Sequence, residues 1–192
     1  GFTSMPGTAT ENMRAMRLGD LGFFYHSNIG LEVVGIVRVM ALAHPDPDVR
    51  AYYLRWFKGM ADIAGDLGAP AIGTQFGIFT FRDYDDAHRR ATLMQVALDC
   101  WRELAAHARA RGLSYLFWEP MSVGRELGHT LKDCQSLQDW IDAAGLSLPL
   151  KPMVDIDHGD VTSPNPDDVD PYAWARVFAA QKTPGDRFTR VD

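Results

Sequence analysis

Apolar and polar positions alternate along this chain in a repeating order of long and short segments. From Val49, the residues Tyr52, Tyr53, Trp56, Phe57, Met60, Ile63, Ala64 and Leu67 step by threes, fours and ones, which lays them on one stripe of a helix. Asp46 and Pro47 supply an N-cap and a first-turn proline, and Gly68 supplies the stop. The apolar run 69–76 is short enough to be a strand, with its proline at the start. A second helix is predicted over 86–111, with Met94, Ala97, Leu98, Trp101, Leu104, Ala105 and Ala108 on one face and Gly112 at its end. The run 113–118 then reads as a buried strand finishing at Glu119. Thr130 caps a third helix carrying Leu131, Cys134, Leu137, Ile141 and Ala144 up to Gly145, and residues 148–155 form the next strand. Asp170 and Pro171 open a last short helix to about residue 180, and the polar stretch 181–192 reads as a loose tail.

Helices that end at glycine and are each followed by a strand describe βα units and a parallel sheet. The first part of the chain is less patterned. Residues 1–20 have no firm period, 21–27 suit an earlier strand, and the length of the apolar stretch 31–43 favours a buried helix or a lid. The whole of 1–192 is read as one domain. A closed parallel barrel takes eight strands and typically about 250 residues, against about four strands here. The fold class is therefore α/β, either part of a (β/α)8 barrel or an open α/β sheet.

Composition narrows the function classes. The formal charge is −6, which disfavours a nucleic-acid binder working through a basic face. Two cysteines, Cys100 and Cys134, are too few for a disulfide scaffold and suit a reducing compartment. Neither a basic-then-apolar leader nor a long apolar run stands out, so a cytoplasmic protein without membrane partners is expected.

In parallel α/β folds, functional groups gather at the carboxyl ends of strands. Those ends offer His26, Gln75, Glu119 and the group Asp155, Asp157 and His158. Glu119 directly follows Leu-Phe-Trp, where a carboxylate is costly to bury unless paired or bound to a metal; its plain alternative is a cap on the next loop. Asp155 and His158 stand three apart and could serve a divalent cation, or merely form an Asx turn. Glu126, seven residues past Glu119, lies on the same loop and could reach the same pocket. Asp83, Asp85 and Asp86 read as a solvated helix start, and His44 as a helix-entry residue. Ser122 in Pro-Met-Ser-Val-Gly offers a serine-hydrolase alternative, opposed by an acid and a base that stand only three residues apart.

Four stretches together resemble the xylose-isomerase-like sugar isomerase and epimerase family, including the ketose 3-epimerases and those acting on short ketose phosphates such as erythrulose phosphate. They are His-Pro-Asp-Pro-Asp-Val-Arg (44–50), Asp-Leu-Gly-Ala-Pro-Ala-Ile-Gly (66–73), Trp-Glu-Pro-Met-Ser-Val-Gly-Arg-Glu (118–126) and Val-Asp-Ile-Asp-His-Gly (154–159). The likeness runs from about His26 to Ala180. It implies a TIM barrel holding a divalent metal ion (Mn²⁺, Mg²⁺, Co²⁺ or Zn²⁺) and acting on a small sugar or sugar phosphate through an enediolate. By resemblance, Glu119 is a metal ligand and an acid/base group, Asp155 is the second ligand, and His158 and Glu126 bind the substrate. Such barrels complete the metal shell with a further His and Glu, but this chain has no Glu after Glu126 and no His after His158. The expectation is a middle portion of a barrel, either contributing to an isomerase or standing as a catalytically incomplete remnant. A homo-oligomer is compatible with both.

Overall fold

The computed structural model describes residues 21–26, 32–38, 42–155 and 158–180. The expected loose tail at 181–192 and Asp157 lie outside them. The chain's contacts divide into two units, residues 1–40 and 41–192.

In the first unit, strand β1 (Leu21–His26) pairs antiparallel with strand β2 (Glu32–Arg38), Leu21 opposite Arg38 and His26 opposite Glu32. The second strand corrects the helix or lid expected in 31–43. Val33, Val34, Ile36 and Val37 are β-branched and favour a pleated backbone. The register shifts between Phe24 and Tyr25, next to Gly35 on the partner strand.

The second unit is a run of helices and parallel strands. Helix α1 (Pro47–Asp66) leads to β3 (Ala71–Gln75), then a short α2 (Phe81–Asp85), the long α3 (Ala87–Ala110), β4 (Tyr115–Glu119), α4 (Leu131–Ala143), β5 (Leu150–Pro152) and α5 (Pro171–Ala180). The three strands form one parallel sheet in the order β3-β4-β5. That is one parallel strand fewer than the four counted from sequence, because the earliest strand is half of an antiparallel hairpin. The arrangement is the α/β layering of part of a TIM barrel.

Local chemistry explains the boundaries. The Asp46 carboxylate accepts from Asp48 N–H at 2.9 Å, Asp86 caps α3 through His88 and Arg89 N–H, and Thr130 caps α4 through Asp133 N–H. His44 is a helix-entry residue, its Nδ1 accepting from Asp46 N–H at 3.0 Å. Gly68, Gly112 and Gly145 follow α1, α3 and α4 with φ of 70°, 87° and 59°, the left-handed region where a side chain is strained.

Asp83 departs from the solvated helix start expected for it. It is 4 % exposed, it accepts from Thr80 Oγ1 at 2.9 Å and Arg89 Nε at 2.7 Å, and its own N–H donates to Thr80 Oγ1. Burial opposes its charge, but the hydrogen bonds from Arg89 and Thr80 outweigh that cost, helped by the charges of Arg89 and Arg82. Its carboxyl is therefore held below the ordinary range. Asp86 behaves as read.

Along β4 the side chains alternate. Leu116 and Trp118 are fully buried under the helices, while Tyr115, Phe117 and Glu119 are half-buried on the opposite face. The Trp118 indole can only donate, and it donates to Gln138 Oε1 at 2.7 Å. The Gln138 amide nitrogen then donates to Leu150 O at 2.9 Å, so one buried side chain on α4 ties β4 to β5. Phe76 and Trp101 stack at 6.3 Å, with Trp118 and Trp140 edge-on to Phe76. This aromatic cluster lies at the carboxyl end of the sheet, Phe76 directly following β3 and Trp118 directly preceding Glu119.

Candidate functional site

Glu119 is the last residue of β4, and the same alternation that buries Trp118 turns Glu119 to the other face of the sheet. Beyond β5, Val154 is buried and Asp155 half-buried, so Asp155 shares the face of Lys151 and Met153. Met153 N–H donates to Trp118 O at 2.8 Å, which extends the parallel pairing up to the level of Glu119. His158 N–H donates to Asp155 O at 3.1 Å, closing a turn that brings the imidazole back over the strand ends. The loop after it is anchored by Asp168, whose buried carboxylate accepts from Leu131 N–H at 2.9 Å and Ser163 Oγ at 2.6 Å.

Three side chains converge as a result. Ligand atoms of Glu119, Asp155 and His158 all lie within 4.8 Å of one another. His158 Nδ1 stands 3.4 Å from Glu119 Oε1, and its Nε2 stands 3.8 Å from Asp155 Oδ2. His158 Nδ1 is also 3.1 Å from Pro120 O, an atom that can only accept. That contact places the proton of a neutral imidazole on Nδ1 and leaves the Nε2 lone pair facing a carboxylate. Two carboxylates, Glu119 and Asp155, gathered at half-buried positions beside an imidazole are a donor chemistry that suits a divalent cation.

Glu126 occupies a short 3₁₀ turn (Gly124–Glu126) on the loop after β4. Its carboxylate meets Arg125 at 2.9 Å and is not one of the three converging groups. Sequence reasoning gives Arg125 no role, although it stands in the stretch 118–126 directly before Glu126. Arg125 and Phe79 join the loops after β3 and β4, with Phe79 N–H donating to Arg125 O at 3.0 Å and Arg125 Nη1 to Phe79 O at 3.4 Å. Among the described residues, His158 meets Glu119, Asp155 and Pro120 and makes no hydrogen bond with Ser122. The hydrolase alternative thus has no nucleophile–base pair among the described residues. His26 lies opposite Glu32 in the other unit.

Parallel βα units with acid and imidazole groups gathered at the strands' carboxyl ends are the layering of part of a TIM barrel. Comparison makes it specific: the family described as xylose isomerase-like TIM barrel matches residues 23–181, and the chain belongs to it. A D-erythrulose 1-phosphate 3-epimerase from Brucella abortus (strain 2308) is 59% identical over 140 residues, covering 73% of this chain and 45% of its own length. A Rhodospirillum rubrum protein solved as a candidate xylose isomerase superposes with a TM-score of 0.57 at 28% identity, over 62% of this chain and 40% of that one. The D-psicose 3-epimerase of Clostridium cellulolyticum H10, crystallised with D-tagatose, shares the fold, with a TM-score of 0.52 at 17% identity over 70% and 45% of the two chains. The chain thus spans less than half the length of these relatives. No helix among the described residues is long and apolar enough to cross a membrane.

Proposed function

We propose that this chain carries one face of a metal-dependent sugar isomerase or epimerase site, acting on a small ketose or its phosphate through an enediolate. The convergence of Glu119, Asp155 and His158 at the carboxyl end of the sheet carries this reading. The Brucella relative, named for a ketose phosphate, supports a phosphorylated substrate.

In this reading Glu119 and Asp155 hold the cation. When bound, the cation supplies a Lewis acid that stabilises negative charge on the ketose oxygens. Glu119 removes the proton from the carbon beside the carbonyl and returns it, passing between base and acid. His158, with Nδ1 engaged by Pro120 O, offers Nε2 to a substrate hydroxyl. Glu126, braced by Arg125, accepts from another hydroxyl. The buried thiols of Cys100 and Cys134, not joined in a disulfide, support a reducing, cytoplasmic setting.

Inverting a stereocentre takes a second carboxylate on the opposite face of the enediolate. Of the second unit's three glutamates, Glu103 lies on α3 paired with Lys58 at 2.5 Å, away from the strand ends. The remaining two are Glu119 and Glu126. This shortage favours a second reading, a partial barrel that binds the metal without turning over substrate.

Calorimetry with Mn²⁺ followed by an epimerase assay separates the two. Weak Mn²⁺ binding that disappears in Glu119→Gln and in Asp155→Asn is expected, with ketose-phosphate turnover by this chain below detection. Tight binding that survives Asp155→Asn would refute the ligand assignment. Robust turnover would mean that another residue supplies the second carboxylate.

A further inference from the structure

We infer that Gln75 is a substrate-contact residue of this site, its side-chain amide donating to a carbonyl or hydroxyl oxygen at the reacting end of the ketose. The inference rests on the proposed function above and adds a residue that the reading had left without a role.

Register carries the argument. In the parallel pairing of β3 with β4, Gln75 is the Cα partner of Glu119, and both end their strands. Adjacent strands stand about 4.8 Å apart, and partnered residues of a parallel pair project from the same face. At the pair two residues earlier, Gly73 meets Phe117, and a Cβ built on Gly73 would lie 2.1 Å from Phe117 O and 2.3 Å from Phe117 Cδ2, so β3 and the Phe117 residue are in close contact there. By the same register Gln75 and Glu119 end adjacent strands side by side at the carboxyl edge.

The hydrogen bonds of Gln75 then define what it can recognise. Thr74 Oγ1 donates to Gln75 Oε1 at 3.0 Å, so the acceptor end of the amide is occupied. The two N–H groups of Nε2 have no partner among the described residues, although the side chain is half-buried. A partly desolvated donor pair next to a carboxylate that works on substrate is suited to an acceptor oxygen brought by that substrate. An amide also suits the setting chemically. It gives a directed hydrogen bond without adding a positive charge that would compete with a cation for Glu119 and Asp155. It strengthens its bond as negative charge grows on the ketose oxygen during proton removal. The phosphate end of a ketose phosphate is not its target, because Gln75 stands next to the residue that handles the proton.

The test uses the whole chain loaded with Mn²⁺ and reads two affinities by calorimetry, for Mn²⁺ itself and for D-erythrulose 1-phosphate. Gln75→Leu keeps the bulk and removes the donors, and Gln75→Glu keeps the shape and replaces the donors with an anion. Gln75→Leu should bind Mn²⁺ within about twofold of the unmodified chain, whereas the new carboxylate of Gln75→Glu beside Glu119 should tighten Mn²⁺ binding. Gln75→Leu should lose roughly tenfold in ketose-phosphate affinity, the loss of one useful hydrogen bond, and Gln75→Glu should lose more. Unchanged ketose-phosphate affinity in both variants, alongside its loss in Glu119→Gln, would overturn the role of Gln75 and leave the metal-site reading standing. A large fall in Mn²⁺ affinity in Gln75→Leu would also overturn it, by showing that the residue shapes the metal ligands. If the unmodified Mn²⁺-loaded chain does not bind the ketose phosphate, the function reading fails and the role of Gln75 fails with it.

Discussion

Helices α1 and α3 pack against each other, and they spend their apolar residues differently. Helix α3 buries Leu93, Ala97, Leu98, Trp101, Leu104, Ala105 and Ala108. Helix α1 buries only Tyr53, Leu54, Phe57, Ala61 and Ala64. A second apolar row on α1 and its C-cap, formed by Tyr52, Trp56, Met60, Ile63 and Leu67, is exposed, with Ile63 at 55% and Leu67 at 80%. The two helices are clamped at their polar seam, where Asp62 and Asp66 of α1 meet His107 and Arg111 at 2.6 to 3.1 Å. The difference lies in what each helix covers. Helix α3 lies over β4, the middle strand, whereas α1 lies over β3, which has a strand on one side only among the described residues. A helix in a closed eight-stranded barrel has a neighbouring helix on each flank. The number of sides on which a helix can bury apolar surface is thus set by its position in the layer, and amphipathicity alone does not reveal it.

The sharpest way to break the comparison is to remove one tryptophan from each helix. Trp101 is fully buried, stacks on Phe76 and donates its indole N–H to Phe76 O at 2.9 Å. Trp101→Ala should cost about 3–5 kcal/mol from the cavity it leaves, with a further loss because Phe76 O is left without its donor. Urea unfolding followed by far-UV circular dichroism measures this. A cost below about 1 kcal/mol would mean that the aromatic cluster under the strand ends is not what holds the sheet to α3.

Much of the second unit was legible in the sequence because its signals are local. The caps at Asp46 and Thr130, the helix start at Asp86 and the stops at Gly68, Gly112 and Gly145 involve residues a few positions apart, and each stands where the sequence puts it. Glu119, Asp155 and His158 could be listed together because each follows an apolar run, and the structure brings them together. What stayed hidden depends on pairings across the fold. The row from Val49 to Leu67 was read as one stripe, but it spans a buried face and an exposed one. The burial of Asp83 is set by Arg89, six residues on and in the next helix. The neighbourhood of Gln75 and Glu119 is a matter of strand register, which no spacing along the chain encodes.

A smaller effect sharpens the comparison at the α2–α3 junction. Because Arg89 and Thr80 hold the Asp83 carboxyl below its ordinary value of 3.8, the folded state binds a proton there less readily than the unfolded chain does. The unfolded state therefore carries more protons across this window. The stabilisation is present above the unfolded value and is lost as pH falls below 3.8 through the folded one. Asp83→Asn should lower stability at pH 7 by about 1–3 kcal/mol. It should also flatten the decline between neutral and strongly acid pH. Denaturation midpoints across that range check it, and an acid limb as steep as that of the unmodified chain would remove Asp83 from the account.

The smallest expected effect concerns the exposed row of α1. Trp56 is 42% exposed, and its ring meets Phe57 edge-on at 5.1 Å within the same helix. Replacing Trp56 and Ile63 with Gln removes apolar surface of which only about half is buried, Trp56 being 42% and Ile63 55% exposed, and glutamine is as good a helix former as either. The pair should cost about 1–2 kcal/mol, less than Trp101→Ala alone, although the double variant replaces two large side chains and the single variant one. Unfolding of the unmodified chain and the double variant under identical conditions measures it. A loss of about 4 kcal/mol or more in the double variant, matching Trp101→Ala, would mean that Trp56 and Ile63 are fully buried in solution. The contrast between the two helices would then vanish, and α1 would have a covering neighbour just as α3 does.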